Sequence, residues 1–496
     1  MRTSRFEVLS QDEVERIHGL SLELLRDIGV KVDYKTAREI FRNAGAEVDE
    51  DKQTVCISEK LIQWALSNTP AQFSLYGNSL DFELKIGCGE IVFAGLGTPT
   101  SILDTDTGEH RQVTLNDLVR HIQIINACEY IHNSQMDVWP NDIPMTMIHV
   151  EAIWAWAHHS RKSFGMGCYG YLPTLDMMEM MALVVGGKEE LRRHPRFFSI
   201  CSVTSPLQMS QMQLEGMLIS ADYGQPITMA PEAIAGATAP VSLAGLLVQQ
   251  NANILAHITL TQLFRPGTPV LYGTVSTIAN MRLGNVALGS VETGLITSAS
   301  AQLARYYGIP IRSVGGATES KLEDVQAGLE RVQTLLPAVL SGVDFITCAG
   351  TLDSTMLESE AMLVLDDEIC GSLIHMSKGI DVNSNTLAMD LIRSVNYNGH
   401  YLAEEHTVEN FRKEHFIPEL MIREPYETWL KNGSPTAISK AKDRVSDILE
   451  KHEPRELDPK IENELNKFRN MVSQRTIDDY YAAELEENQS FDSLAP

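Results

Sequence analysis

The sequence predicts an α/β chain organised as a (β/α)8 TIM barrel, with a helical N-terminal extension and a C-terminal helical arm. Three observations point there. Strand-like segments open near Ile91, Ile131, Lys162, Phe197, Pro226, Pro269, Ile309 and Val343, with roughly 36 residues between starts. Helical periodicities fall between most of them. Glycines, hydroxyls and carboxylates gather just after the strand-like segments, where barrels build their sites. A doubly wound open sheet is the competing architecture. The expected boundaries are 1–88 for the extension, 89–400 for the barrel and 401–496 for the arm and tail.

The 496 residues are 44% hydrophobic and 21% charged, enough to bury a large core. The formal net charge of −26 repels phosphate backbones and acidic membrane surfaces and mildly favours cations. No nucleic-acid or membrane partner is therefore expected. Seven widely spaced cysteines without a Cys-x-x-Cys fit free thiols in a reducing, cytoplasmic setting. The stretch Met1 to Val8 has no long apolar run, so no signal peptide is expected.

Along the chain, Ser10-Gln-Asp-Glu13 is a capping signature ahead of the stripe Val14, Ile17, Leu20, Leu24 and Leu25. Residues 1 to about 88 are expected to be mostly helical. Ser101 to Val113 predicts an inserted hairpin turning at Asp106 to Gly108. Helices are predicted over Leu115 to Ala127, Met147 to His158, Leu175 to Val185, Gln211 to Ala221 and Leu243 to Phe264. Ser320 and Glu323 form a candidate capping box for the next helix. Its apolar face would be Leu322, Val325, Leu329, Val332, Leu336 and Val339, ending at Gly342. The long arm favours a homo-oligomer over a monomer, and the acidic tail over 471–496 is expected to wrap the barrel, contact another subunit or fray.

Candidate chemistry lies at the strand ends. Phe93, Trp139, Tyr169, Tyr171, Tyr272 and Phe345 can line a mouth rimmed by Glu232, Glu319 and Asp353. Such a cavity suits a quaternary ammonium, because aromatic quadrupoles attract a cation that offers no N–H donor. The acids can act on the ligand or cap the next helix. Arg312 lies in a buried-looking strand and must be paired, either with a ligand carboxylate or with a neighbouring acid. His132, His158, His159, His400 and His406 lack metal spacing, as do the cysteines, so no metal site is expected. Nucleotide loops and the Gly-x-Ser-x-Gly elbow are absent.

Two stretches carry a resemblance. One is Gly315-Gly316-Ala317-Thr318-Glu319-Ser320-Lys321 with Gln326-Ala327-Gly328. The other is Gly399-His400-Tyr401-Leu402-Ala403-Glu404-Glu405-His406-Thr407 with Glu414-His415-Phe416-Ile417-Pro418-Glu419-Leu420. Together they resemble the trimethylamine methyltransferase family over about residues 5 to 430. The resemblance implies a barrel that passes a methyl group to the cobalt of a separate corrinoid protein, the cofactor staying on that partner. Family members acting on trimethylamine carry pyrrolysine, which this chain lacks; the others are linked with quaternary amines, glycine betaine foremost.

The expected reaction is N-methyl transfer from glycine betaine or a similar quaternary amine. From the strand-end reading, Arg312 or the N–H groups of Gly315, Gly316 and Ala317 would take the substrate carboxylate. Tyr169, Tyr272 and Phe345 would enclose the methyl groups, and Glu232, Glu319 and Asp353 would shape the field. The alternatives are a non-catalytic betaine-binding barrel and a cobalt-independent lyase or hydrolase using Glu232 or Asp353 as base.

Overall fold

The strand-like segments close into a barrel of eight parallel strands. The structure is a computed structural model and describes residues 5–136, 138–485 and 489–491. Residues 1–4 of the Met1-to-Val8 stretch lie outside the described residues, as do 486–488 and 492–496 of the acidic tail. The strands are β1 (Val92–Ala94), β2 (Ile131–Ser134), β3 (Ser163–Gly167), β4 (Phe197–Val203), β5 (Ile227–Pro231), β6 (Val270–Thr274), β7 (Ile311–Val314) and β8 (Phe345–Thr347). Each pairs in parallel with the next, and β8 closes onto β1. A helix follows every strand: α1 (Leu115–Ala127), α2 (Ile148–His159), α3 (Tyr171–Val185), α4 (Gln211–Asp222), α5 (Leu243–Phe264), α6 (Val291–Tyr307), α7 (Val325–Ser341) and α8 (Glu360–Ser377).

Register decides which side chains face inward. Gly273 of β6 pairs with Arg312 of β7, and Arg312 pairs with Phe345 of β8. Partners in a ladder share a face, and the next residue along each strand takes the other face. Arg312, Gly273 and Phe345 thus point into the barrel, while Tyr272 and its partner Ile311 point toward the helices.

The amino end of the barrel is plugged. A hairpin of Phe73–Tyr76 and Glu83–Ile86 sends Leu75, Leu84 and Ile86 against Val92, Phe198, Leu271 and Phe345. Phe198 and Phe345 stack with centroids 4.3 Å apart and planes 3° apart. The barrel is therefore closed below and can open only at the carboxyl end.

The extension carries its expected helices, with short strands between them that the sequence reading did not place. Helices Gln11–Asp27, Lys35–Asn43 and Glu59–Asn68 alternate with strands Val30–Val32, Glu47–Asp49 and Thr54–Cys56, which form a sheet with Gln208–Met209. Val30 and Val32 are buried on either side of exposed Lys31, an alternation too short to register against the helical pattern around it. The Ser10–Glu13 capping box forms, and Ser101–Leu103 pairs with His110–Gln112 as an antiparallel hairpin.

Helix α7 needs a correction. Its N-cap is Asp324, which accepts from Ala327 N at 3.0 Å; Ser320 Oγ donates to Asp324, and Glu323 accepts from Ser359 Oγ. The first part of the apolar stripe read from the sequence faces outward, with Leu322, Val325, Leu329 and Val332 exposed, while Leu336 is half-buried and Val339 fully buried as expected. The inward face uses Ala327, Arg331, Thr334, Leu335 and Ala338. Arg331 donates to Asp366 of α8 at 2.9 Å, a buried ion pair that holds this face without a large apolar surface.

The last part of the chain wraps the barrel. Helix Ala437–Lys451 buries Ala441, Val445 and Ile448 against Ile124 and Ile125 of α1. Arg469 makes a 2.7 Å ion pair with Glu151 of α2, and Arg475 reaches Asp176 of α3. Phe491 lies edge-on to Tyr171 and Phe264. Among the described residues, no helix is long and apolar enough to cross a membrane.

Candidate active site at the barrel mouth

A cavity of about 460 Å³ opens at the carboxyl ends of the strands. Clefts of about 280 and 760 Å³ lie at the opposite end, where Gly89, Glu90 and Ile91 lead into β1, and neither gathers the strand-end groups. The mouth cavity is walled by Tyr169, Glu232, Arg312, Glu319 and Asp353, five residues singled out from the sequence. Its volume falls in the range of small-ligand sites.

Arg312 lies at the cavity wall with no solvent-exposed surface. None of its three guanidinium nitrogens has a hydrogen-bond partner among the described residues. Of its two anticipated roles, the structural ion pair is thus absent among the described residues. Burial pushes its pKa down to about 10, while Cys348 and Glu232 oppose the shift. A buried, unpaired guanidinium is costly, so a ligand anion that pairs it gains the energy otherwise lost to desolvation. Glu232, in the segment after β5, is open to the cavity yet closely ringed by protein; burial raises its carboxyl above the ordinary value and Arg312 opposes the rise.

Tyr169 forms an aromatic wall. Its ring lies across Gly167 at the end of β3, where an added Cβ would stand 2.4 Å from the ring carbon Cζ. Only glycine leaves that space. Trp139 packs edge-on to Tyr169, centroids 5.3 Å apart, and is fixed by an Nε1–H donated to Gly97 O at 2.7 Å. Burial pushes the Tyr169 phenol up, so its ring stays neutral and its π-face electron-rich near neutral pH.

Neither Glu319 nor Asp353 caps a helix. Glu319 Oε1 accepts from Ser354 Oγ at 2.8 Å and from Gly289 N at 3.1 Å. Asp353 pairs with Lys321 at 2.8 Å, in an exposed ion pair at the rim. Asp353, Ser354 and Thr355 all hold left-handed backbone, with φ of 48°, 52° and 71°. Such strain in non-glycine residues clusters at functional sites.

Four anticipated residues lie elsewhere, and their expected roles are corrected. Tyr272 is fully buried on the helix side, its hydroxyl donating to Asn251 and its ring stacked on Tyr307. Phe345 belongs to the lower plug. Gly315 N donates to Thr347 O at 2.9 Å and Gly316 N to Thr334 Oγ1 at 3.0 Å, so neither N–H is available to a substrate. Phe93 and Tyr171 also lie away from the wall, the latter donating its hydroxyl to Ser490 O.

Sequence reasoning misses Leu96, Gly97 and Thr98 after β1, and Thr355 and Met356 after β8, all of which line the cavity. For 96–98 the usable signal is their position directly behind β1, which the stronger turn pattern of the following hairpin overshadows. Among the described residues, no group of three or more His, Cys, Asp or Glu side chains is placed to hold a metal ion.

The family model "Trimethylamine methyltransferase (MTTB)" matches residues 1–476. A glycine betaine methyltransferase of Desulfitobacterium hafniense (strain Y51) is 36% identical over 467 residues, covering 94% of this chain and 96% of the relative. A trimethylamine methyltransferase of Desulfitobacterium hafniense (strain DSM 10664 / DCB-2) is 31% identical over 474 residues, covering 96% and 95%. Among solved structures, the Methanosarcina barkeri monomethylamine methyltransferase matches with a TM-score of 0.47 and 12% identity, over 90% of this chain and 99% of that one. On its full-length match to the family model and its identity to these relatives, this chain belongs to the trimethylamine methyltransferase family.

Proposed function

We propose that the protein transfers an N-methyl group from glycine betaine, or a betaine of similar size, to a corrinoid protein. The observation that carries this is the pairing of opposite charges in one aromatic-walled cavity: unpartnered Arg312, and Glu232 with Tyr169. A betaine is a zwitterion with its carboxylate and quaternary ammonium a few bonds apart. Arg312 takes the carboxylate, while Glu232 and the Tyr169 face take the cation. A simple methylamine has no anion with which to satisfy Arg312.

The corrinoid, carried by its own protein, supplies the nucleophile that accepts the methyl. The chain's residues bind and orient the donor. The cavity of about 460 Å³ is sized for a small amine and opens outward at the strand ends, so the acceptor meets the methyl at the mouth. Exposed Met356 lines that mouth, and exposed Met281, Leu283, Leu322 and Val325 follow β6 and β7 on the same carboxyl side of the strands, which suits contact with a protein. A quaternary ammonium leaves as a neutral tertiary amine, so no proton has to be delivered to nitrogen. The contributions needed are orientation and exclusion of water. Glu232 must hold the cation without gripping it too tightly, because the charge vanishes as the C–N bond breaks.

The test is to combine the protein, a reduced corrinoid protein and glycine betaine, and to follow methylation of the corrinoid by its visible spectrum. Methylation with betaines, and little with trimethylamine, is expected. Betaine binding by calorimetry without transfer to any corrinoid partner would support the non-catalytic alternative, and product formation without corrinoid would support a lyase or hydrolase.

A further inference from the structure

We propose that a cleft between the amino end of the barrel and the C-terminal arm binds a small polyanion, whose phosphate or carboxylate groups bridge arginines of the two. The cleft encloses about 520 Å³, within the range of small-ligand sites. Arg161 and Lys162, which lead into β3, form its barrel side; Arg444, Lys451 and His452 form its arm side. It lies at the opposite end of the barrel from the mouth, so its occupant does not compete with the methyl donor.

The cations here are not balanced by the protein. Lys162 is satisfied internally, its Nζ donating to the carbonyl oxygens of Ile125, Cys128 and Ile131. Lys451 pairs with Asp447 at 3.1 Å. His452 is held against His159, Nε2 to Nδ1 at 3.1 Å, and burial lowers its pKa, so it adds little charge at neutral pH. Arg161 and Arg444 remain. Neither guanidinium has an ion pair or hydrogen bond among the described residues, and Glu453, the second acid at the cleft, pairs with neither. Arg455 is a third guanidinium without a partner among the described residues, and it lies within the field of Arg161: burial pushes its pKa down and the Arg161 charge adds to the fall.

Scarcity of acids does not explain this. The chain has 66 Asp and Glu against 40 Lys and Arg, yet three neighbouring arginines meet no carboxylate. Their repulsion acts across the seam where the arm packs on the barrel, and a bridging anion turns it into attraction. Guanidinium forks match phosphate and carboxylate oxygens two at a time. Asn126 Oδ1 accepts from Arg161 N at 2.8 Å, which leaves the Nδ2 amide of this cleft residue as a further donor. Phe82 and Ile448 give an apolar side for the carbon frame of an organic anion. Asp447 and Glu453 repel an acidic peptide laid along the arm, which selects a small ligand.

The test is calorimetry and hydrogen exchange on the full chain with pyrophosphate or citrate as the probe, for wild type and for Arg161→Gln/Arg444→Gln, with sodium chloride at equal ionic strength as the control. Wild type is expected to bind at one site per chain, pyrophosphate alone marking a phosphate site and citrate alone a carboxylate site. The double variant should lose at least about tenfold in affinity. Both arginines are exposed, so the fold should survive, and circular dichroism checks it. Hydrogen exchange on the wild type needs no variant: the probe should slow exchange at 444–455 and leave the mouth unchanged. Failure of both probes to bind, protection matched by chloride, protection at the mouth instead of the arm, unchanged affinity in the double variant, or binding of polyglutamate where both small anions fail would each overturn the proposal. Neither betaine nor corrinoid enters the measurement, so its outcome is independent of the proposed reaction.

Discussion

Arg312 and Phe345 are direct register partners on adjacent strands, yet their side chains serve different compartments. Both point into the barrel. Phe345 stacks on Phe198 and belongs to the plug below; Arg312 borders the cavity above. The aromatic plug removes water from beneath the guanidinium, which is fully buried and without a hydrogen-bond partner among the described residues. Fold and site therefore meet at this pair.

The plug should carry stability rather than specificity. Phe345→Ala removes one ring of a buried stack and should cost about 3–5 kcal/mol. Urea unfolding should show that loss, and calorimetry on the surviving folded fraction should show glycine betaine affinity changed by less than about threefold. A large affinity loss with intact stability would return Phe345 to the substrate wall.

Arg312 should behave in the opposite way. Replacing an unpaired buried charge with an apolar side chain of similar length relieves desolvation, so Arg312→Met should stabilise the protein by about 1–4 kcal/mol. The same variant should lose affinity for glycine betaine but not for choline, which has the cation and no carboxylate. Parallel melting curves and titrations with the two ligands check both halves. Equal losses for both ligands would show that Arg312 does not read the carboxylate.

The aromatic wall can be disturbed from behind. At Gly167 a new Cβ would meet the Tyr169 ring at 2.4 Å, so Gly167→Ala must displace the ring. A cation over such a face is stabilised by about 0.5–2 kcal/mol, so KM should rise by roughly 2- to 30-fold. Tyr169→Ala should give a similar rise, and Tyr169→Phe much less. If Gly167→Ala leaves KM unchanged, the ring is not a cation wall.

Much of this arrangement is legible in the amino-acid sequence. Parallel barrel strands are buried on both faces and read as short apolar runs, which is why all eight starts can be placed. The same property hides facing. A strand apolar on both sides gives no parity, so the sequence offers Tyr272 to the cavity when its neighbour Gly273 faces it. The N–H groups of Gly315 and Gly316 read as free because their acceptors, Thr347 O and Thr334 Oγ1, come from other elements. Helix α7 misleads for a related reason. Its inward face depends on Arg331 meeting Asp366, a pairing 35 residues apart in the chain, while the first four residues of its apolar stripe, Leu322 to Val332, are left outside.

Betaine binding should depend on pH at both ends. Only ionised Glu232 attracts the ammonium, and burial raises its pKa, so affinity should fall on acidification beginning above the ordinary carboxylate range. Only protonated Arg312 holds the carboxylate, so affinity should fall again as pH rises through about 10. Calorimetry on the enzyme alone avoids titration of the corrinoid partner. Glu232→Gln should flatten the acid limb and Arg312→Met the alkaline limb; a limb that persists in its variant belongs to another group.

The strained turn beside the cavity offers a comparison internal to one position. Ser354 holds φ at 52° and donates its hydroxyl to Glu319 at 2.8 Å. Ser354→Ala and Ser354→Gly both lose that hydrogen bond to a carboxylate, at about 1.5–3 kcal/mol. Alanine keeps the left-handed penalty of about 1–2 kcal/mol, whereas glycine escapes it at some entropic cost. Ser354→Gly should therefore be the more stable of the two, the reverse of the order found in helices and strands. Both should raise KM alike, since Glu319 loses the same anchor. Urea unfolding and initial rates on the pair separate the two effects: alanine at least as stable as glycine would mean the turn stores no strain, and an unchanged KM would mean the orientation of Glu319 does not matter to the substrate.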